Sequence, residues 1–504
     1  MQLTYLSALC LVVASTFASA ADVGQVRLPN SGAVDAQEDF QHGLAQLHNF
    51  EYDSAAEDFR RAQAIDSDFA LAYWGEAMTY NHPIWMQQDR AAGRAALQKL
   101  ADTHEARLAM AETALERDFL RAVHILYGEG DKNARDFLYR DHMAMMHEKY
   151  PENPDVGAFY ALALMGTAHA GRDFSIYMKA AAVATELFAV FPEHPGLAHY
   201  LIHSTDDPIH APLGYKAAQT YAKIAPNAAH AQHMTSHIFL ALGDWQATAS
   251  ANDKAVEVVN RQRAEHALPG IGCGHYPSWQ MYAYLQQERF AEAAERMKLC
   301  YTRTLDSGGS DQSLAAFYYM KELYLFDTQD WEGDVASLDV NQRGSEAVEF
   351  SRSYLNAARA LHSNAADVRP VTTEAIDAGE RLVRSLNQGQ ESRDADAGTR
   401  SQVKVLHLKA WLADNEGDAR QAEKYWRKAV ALEGDLPFGF GPPNPAKPAL
   451  EALGESLLTQ RRYAEAVDVF RQALDRTPNR TRATRGLSKA INAVQNDTKE
   501  NGSR

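Results

Sequence analysis

The chain has 504 residues and a formal net charge of -16 at pH 7. This acidic balance argues against nucleic acid as a partner, because binding to phosphates needs a basic surface. A chain of this length is expected either to divide into domains or to stack as repeats.

Residues 1–20 have the pattern of a signal peptide. An apolar run from Leu6 to Val13 is followed by Ala18-Ser19-Ala20, a small-x-small pattern that precedes a cleavage site. No positive charge precedes the run, so an uncleaved anchor is the alternative. No later stretch reaches the roughly 20 apolar residues of a membrane span. The sequence therefore predicts a periplasmic or secreted protein with an N-terminal extension over 21–35.

A pattern of small and aromatic residues then recurs along the chain. It appears first as Gly43, Tyr52, Ala55, Phe59 and Ala62, and near the C-terminus as Leu453-Gly454, Tyr463, Ala466, Phe470, Ala473 and Pro478. Spacing of this kind predicts units of two helices each. Pro192 and Pro226, 34 residues apart, set the register in the middle of the chain. The resulting units span 36–69, 195–228, 229–262, 274–307, 403–436 and 447–480.

These units resemble the tetratricopeptide-repeat superfamily, in which each repeat is a helical hairpin. The resemblance implies an all-α fold, a right-handed superhelical solenoid of hairpins with a concave inner face. It also implies that this face binds a peptide, a protein or a small ligand. The histidine pattern over 194–239 is similar to one in a group of exported bacterial tetratricopeptide-repeat proteins with no established activity.

Residues outside the six units complete the predicted organisation. An N-terminal solenoid covers 36–307 and includes an off-register helical segment at 82–135, and degenerate helical repeats cover 308–402. The C-terminal pair at 403–480 contains a proline-rich insertion at 437–448. Residues 481–504 are predicted to be a polar tail that frays.

Seven of the 19 histidines lie between residues 194 and 237. His199 and His203 are four residues apart, as are His233 and His237, so each pair lies on one helical face. Both pairs take the fifth and ninth positions of their units, which the resemblance places on the inner face. Because packed helices lie about 8 to 10 Å apart, the four rings are predicted to meet.

Four imidazoles on rigid helices predict a site for a divalent transition metal, namely Zn, Cu, Ni or Fe. The alternatives are a hydrogen-bonded polar groove or, when the rings are protonated, a site for acidic peptide groups. Asp206 and Asp207 follow His203 by one turn and are interpreted as candidate ligands or as acceptors that orient one. Asp207 is favoured as the N-cap of a helix that begins at Pro208.

Four more histidines are secondary candidates for this site. His230 shares a helical face with the second pair, and His275 begins the unit at 274–307. His48 and His82 are 34 residues apart near the ends of first helices. An ordinary turn role is the favoured interpretation of His48 and His82.

Cys273 and Cys300 are the cysteines outside the predicted signal peptide. Cys273 precedes the first helix of its unit and Cys300 lies near the end of the second, and antiparallel helices bring those two ends together. An oxidising compartment favours a disulfide, and two separate buried thiols are the alternative.

Two functions remain open at this point. The first is an exported scaffold whose concave face binds a peptide, a protein or a small ligand, with or without a histidine-bound metal. The second is a metal carrier or a metalloenzyme that uses the four predicted ligands. No H-E-x-x-H pattern, phosphate loop or nucleophile turn is present, so the sequence leaves catalysis undecided.

Overall fold

The computed structural model describes residues 20–363, 365, 367–388 and 396–502. Residues 1–19 of the predicted signal peptide therefore lie outside the described residues. The described chain is an all-α solenoid of helical hairpins with a single two-stranded ribbon, which confirms the predicted fold class. No helix in these ranges has the length and apolar character that crossing a membrane requires.

The helices and strands follow one another along the solenoid. The N-terminal elements are α1 (Gln37–His48), α2 (Tyr52–Ile65), α3 (Ala70–Met78), β1 (Asn81–His82), β2 (Gln87–Gln88), α4 (Arg90–Gln98), α5 (His104–Met110), α6 (Ala114–Leu126), α7 (Lys132–Lys149), α8 (Pro154–Met165) and α9 (Phe174–Val190). The middle elements are α10 (Pro195–Thr205), α11 (Ala211–Ile224), α12 (Ala229–Ala241), α13 (Trp245–Glu265), α14 (His275–Gln286), α15 (Phe290–Asp306), α16 (Asp311–Thr328) and α17 (Asp334–Ser337). The C-terminal elements are α18 (Glu346–His362), α19 (Arg369–Gln388), α20 (Ala397–Asn415), α21 (Ala419–Asp435), α22 (Ala449–Thr459), α23 (Tyr463–Arg476) and α24 (Thr481–Gly502).

The six sequence-derived units share one backbone register. The second helix begins at the seventeenth residue of every unit. In five units the first helix ends at the thirteenth residue, and the fifteenth has a positive φ that reverses the chain. These turn residues are Phe50, Gly243, Glu288, Gly417 and Arg461. A left-handed residue is a common way to end a helix, so a tight turn is part of the repeat.

The unit at 195–228 departs from this register. Helix α10 ends at Thr205, two positions early, and a five-residue turn over 206–210 leads into α11. The carboxylate of Asp207 accepts the backbone N–H groups of Ile209 and His210. The prediction that the next helix begins at Pro208 is wrong. The repeat register starts α11 at Ala211, and Asp207 caps the turn rather than the helix.

The ends of the chain pack onto the solenoid. In the N-terminal extension, Val23 and Leu28 are buried, and the Asn49 side-chain amide donates to the Val23 carbonyl at 2.7 Å. At the other end, residues 481–502 form α24, and Ala483 and Ala490 are buried in the C-terminal core. The prediction of a fraying tail is therefore wrong over 481–494, because this part of the helix has an apolar face that packs against α23.

A buried ion network joins the C-terminal pair to the middle of the chain. Arg480 donates to Glu451 on α22 at 2.7 Å, to Asp327 on α16 at 2.7 Å and to the Tyr282 hydroxyl on α14 at 3.0 Å. Removing one partner of a buried ion pair leaves charges without compensation and costs about 3 to 5 kcal/mol. Arg480 therefore holds the C-terminal pair against α14 and α16.

We predict that Arg480→Met destabilises the protein by about 3 kcal/mol or more, measured as a lower midpoint of thermal unfolding. Arg485→Ala is the matched control, since Arg485 pairs with Glu288 at the surface and exposed pairs contribute about 0 to 1 kcal/mol. Equal effects of the two substitutions would contradict a structural role for the buried network.

Candidate metal centre

Three neighbouring first helices, α10, α12 and α14, carry the histidine cluster. Helix α10 also packs closely on α1 because Gly196 has no side chain: a Cβ atom there would lie 2.3 Å from Nδ1 of His48. This approach lets Nδ1 of His199 donate to the backbone carbonyl of His48 at 2.6 Å. Since Nδ1 carries the proton in the neutral ring, the lone pair of His199 is on Nε2.

His199, His203 and His230 form the first group of histidines. One ring nitrogen from each lies within 4.8 Å of the others. All three side chains are buried, and Nε2 of each has no hydrogen-bond partner. Burial, followed by the effect of neighbouring histidines, lowers the pKa of each ring well below its usual value. The rings are therefore neutral at pH 7 and can act as nitrogen ligands.

Phe50 covers the first group. Its ring centroid lies 4.3 Å from that of His199, 5.8 Å from His203 and 5.6 Å from His230. The left-handed backbone of Phe50 at the turn between α1 and α2 directs the ring toward α10. Glu51 accepts the backbone N–H of His230 at 3.0 Å and so holds the first turn of α12.

His233, His237 and His275 form the second group, with ring nitrogens again within 4.8 Å of one another. Nδ1 of His233 lies 2.7 Å from Oδ1 of Asn252, whose amide nitrogen donates to a backbone carbonyl. Nδ1 of His237 lies 2.9 Å from the carboxylate of Asp206. Both partners accept, so in the neutral rings both Nδ1 atoms are donors and both lone pairs are on Nε2.

Asp206 lies behind the ring of His237 and orients it. The Arg172 guanidinium pairs with one carboxylate oxygen of Asp206, while the other oxygen accepts from His237. Asp206 also lies close enough to His203 and His237 to form a three-ligand set. However, its two oxygens are already bonded to Arg172 and to Nδ1 of His237. A carboxylate that accepts the second N–H of a ligating histidine is the usual outer partner at metal sites.

The proline-rich insertion at 437–448 lies across the second group. The Phe440 ring is 5.1 Å from that of His237, and the Trp279 ring stacks on His237 at 4.5 Å. The Tyr319 hydroxyl donates to the Pro442 carbonyl at 3.0 Å, which holds the loop in place. The inner face is therefore occupied by this loop where the histidines lie.

His48, His194 and Asp155 form a separate buried cluster. Nε2 of both rings lies near the same carboxylate oxygen of Asp155, at 3.0 Å for His48 and 3.1 Å for His194. Nδ1 of His194 accepts the backbone N–H of Leu197, so Nε2 must be the protonated nitrogen. A metal at Nε2 would require loss of that proton to an imidazolate. This cluster is consequently a hydrogen-bonded brace between α8, α1 and the start of α10.

The structure groups the predicted ligands differently from the sequence pattern. His199 and His203 join His230, whereas His233 and His237 join His275, and no group within 4.8 Å among the described residues contains all four predicted ligands. The reason is that the fifth and ninth positions of one first helix lie close to the second position of the next unit, which is at the start of its first helix. His82 lies in none of these groups. Its Nε2 donates to the Thr79 carbonyl at 3.0 Å, and its ring stacks on Tyr52.

The outer partners Asn252, Arg172 and Asp155 were not identified from the sequence. They lie on second helices or in neighbouring units, and no spacing in the sequence relates them to the histidines. The two cysteines are joined by a disulfide, Cys273–Cys300. This bond ties the segment that precedes His275 to α15.

Comparison with known proteins supports the repeat architecture. A tetratricopeptide-repeat family model matches residues 448–480, and no curated protein matches the sequence significantly.

Among solved structures, the P58(IPK) TPR domain is 13% identical, with 92% of this chain and 99% of that chain covered and a TM-score of 0.23. Yeast Tom70 is 14% identical, with 92% and 96% covered and a TM-score of 0.35. The APC/C hetero-tetramer Cut9-Hcn1 is 11% identical, with 92% and 78% covered and a TM-score of 0.37. The family-model match at 448–480 shows the resemblance to tetratricopeptide-repeat proteins, whose scaffolds typically bind protein partners.

We predict that Asp155→Asn lowers the free energy of unfolding by about 1.5 to 3 kcal/mol, the usual contribution of hydrogen bonds to a charged group. Although burial alone raises the pKa of Asp155, the hydrogen bonds from His194 and His48 lower it below the usual range. A depressed carboxylate pKa stabilises the folded state above the unfolded-state pKa of about 3.9 and loses that contribution as pH falls.

The measurement is the difference in thermal unfolding midpoint between wild type and Asp155→Asn, followed from pH 7 to pH 3. The difference should shrink below about pH 4, where the unfolded carboxyl binds a proton. Asp35→Asn, at an exposed position, is the control and should leave the midpoint unchanged. A pH-independent difference would show that the charge of Asp155 is not what stabilises the cluster.

Proposed function

We propose that this protein is an exported repeat scaffold that binds a transition-metal ion through His199, His203 and His230. The observation that carries the proposal is that the buried Nε2 atoms of these three adjacent rings have no hydrogen-bond partner. A buried polar atom left without a partner costs about 1 to 3 kcal/mol. A bound ion would satisfy three such atoms at once.

The chemistry of the group favours a metal over the alternative of a protonated, peptide-binding groove. Burial keeps the rings neutral by lowering the pKa of all three, so they do not present positive charge to an acidic peptide at neutral pH. Neutral imidazole suits Zn, Cu, Ni and Fe ions. Three protein nitrogens also leave a position open in a four-coordinate ion.

The open coordination position of the ion would serve a metal carrier or a metalloenzyme as well as a scaffold. A metal carrier would fill that position during transfer of the ion, and a metalloenzyme would bind water or substrate there. Since Phe50 and the neighbouring helices enclose the first group, a small ligand fits this position better than a peptide does. We propose that peptide or protein partners bind elsewhere on the scaffold.

Export is supported by two features of different kinds. The N-terminal 1–20 segment has the apolar run and the Ala18-Ser19-Ala20 pattern of a cleaved signal. The Cys273–Cys300 disulfide is of a type that persists in oxidising compartments. The mass of the mature protein, taken from the exported fraction, should correspond to a chain that begins at Ala21.

We predict that protein purified without chelators contains at least one equivalent of a transition metal, measured by elemental analysis. His199→Ala should lower the metal content by about one equivalent, since His199 belongs to the first group alone. His407→Ala is the matched control, because His407 is also fully buried on a first helix but lies in no three-ligand group. It should retain the wild-type metal content.

Removal of the ion by a chelator should also lower the thermal unfolding midpoint of the wild type. An ion present at 100 times its dissociation constant stabilises the folded state by about 2.7 kcal/mol. Wild-type protein without metal, and with the same midpoint before and after chelation, would contradict the proposed function.

A further inference from the structure

We infer that a second metal ion binds one repeat further along the solenoid, at His233, His237 and His275. This inference rests on the proposed function of the first group and adds a distinct site to it. The chemical class of the ion is the same, a borderline divalent transition metal that takes neutral imidazole ligands.

The two histidine groups occupy equivalent positions of the repeat. The first group takes the fifth and ninth positions of the unit at 195–228, together with His230, the second position of the next unit. The second group takes the fifth and ninth positions of the unit at 229–262, together with His275, again the second position of the unit that follows. The solenoid therefore repeats the same three-histidine arrangement, once between α10 and α12 and once between α12 and α14.

Histidine at both the fifth and the ninth positions is confined to two of the six units. The unit at 274–307 has Ser278 and Tyr282 at these positions, and the unit at 403–436 has His407 at the fifth but Trp411 at the ninth. The buried His407 accordingly belongs to no three-ligand group among the described residues. The duplicated group is therefore a property of three consecutive first helices, α10, α12 and α14.

The hydrogen bonds of the two buried rings, His233 and His237, also favour a bound cation, independently of the repeat register. Nδ1 of His233 donates to Asn252 and Nδ1 of His237 donates to Asp206. The Nε2 atoms of the two rings are 3.1 Å apart. Two lone pairs at that distance repel each other unless a cation lies with them, and the cation is either a shared proton or a metal ion.

The placement of His275 favours the metal ion. A shared proton needs only the two Nε2 atoms, yet a ring nitrogen of His275 also lies within 4.8 Å of a ring nitrogen of each of the other two histidines. The acceptors behind His233 and His237 are of the kind that orient metal-ligating histidines. His275 is exposed, in contrast to the buried ligands of the first group, so this second site has a path for the ion from solvent.

The experiment is equilibrium dialysis of metal-free protein against Zn²⁺, with zinc and protein measured by elemental and amino-acid analysis. Wild type should bind two ions per chain. His275→Ala and His199→Ala should each bind one, and the double variant should bind none. His266→Ala, which alters an exposed histidine at the end of α13, should bind two.

Folding is checked by the thermal unfolding midpoint of the metal-free proteins. Because His275 is exposed, metal-free His275→Ala should unfold at the wild-type midpoint, so that a lost ion reports a lost ligand. Wild type that binds a single ion, retained in His275→Ala and lost in His199→Ala, would overturn the second site and leave the first. Two ions retained in His275→Ala would also overturn it, whereas wild type that binds no zinc would overturn both proposals.

Discussion

Side-by-side packing of the first helices is the constraint on which the rest of this structure depends. Helices α10, α12 and α14 come from three units of the solenoid, and residues at their fifth and ninth positions face a neighbouring helix rather than solvent. Aliphatic side chains would satisfy this packing without further requirements. Histidine at these positions is different, because burial disfavours the charged ring and each ring nitrogen needs a partner.

The protein meets that requirement on one side of each ring with groups from elsewhere in the fold. A backbone carbonyl on α1, an amide on α13 and a carboxylate in the turn after α10 accept from His199, His233 and His237, respectively. Among the six units, the turn that supplies the carboxylate is the one in which the tight inter-helix turn is lengthened. A departure from the repeat geometry thus provides a group that the histidines need.

The return of the C-terminal helices gives the inner face its final shape. The ion network around Arg480 fixes α22 and α24 against α14 and α16, and this brings the insertion at 437–448 over the second histidine group. An open solenoid would present the same histidines to solvent. Here the rings of Phe440 and Trp279 pack on His237, so the inner face is not an open groove at this place.

The sequence by itself determined the all-α repeat fold, the register of its units and the presence of paired histidines on inner helical faces. These properties follow from local spacing, because the helical period and the small residues at helix crossings recur at fixed, short intervals along the chain. Only the tertiary structure decided which histidines meet, that His230 and His275 complete the groups, and that Asn252 and Asp206 orient them. These contacts join residues on different helices, and their geometry depends on how the units stack and where the chain returns, which no local pattern encodes.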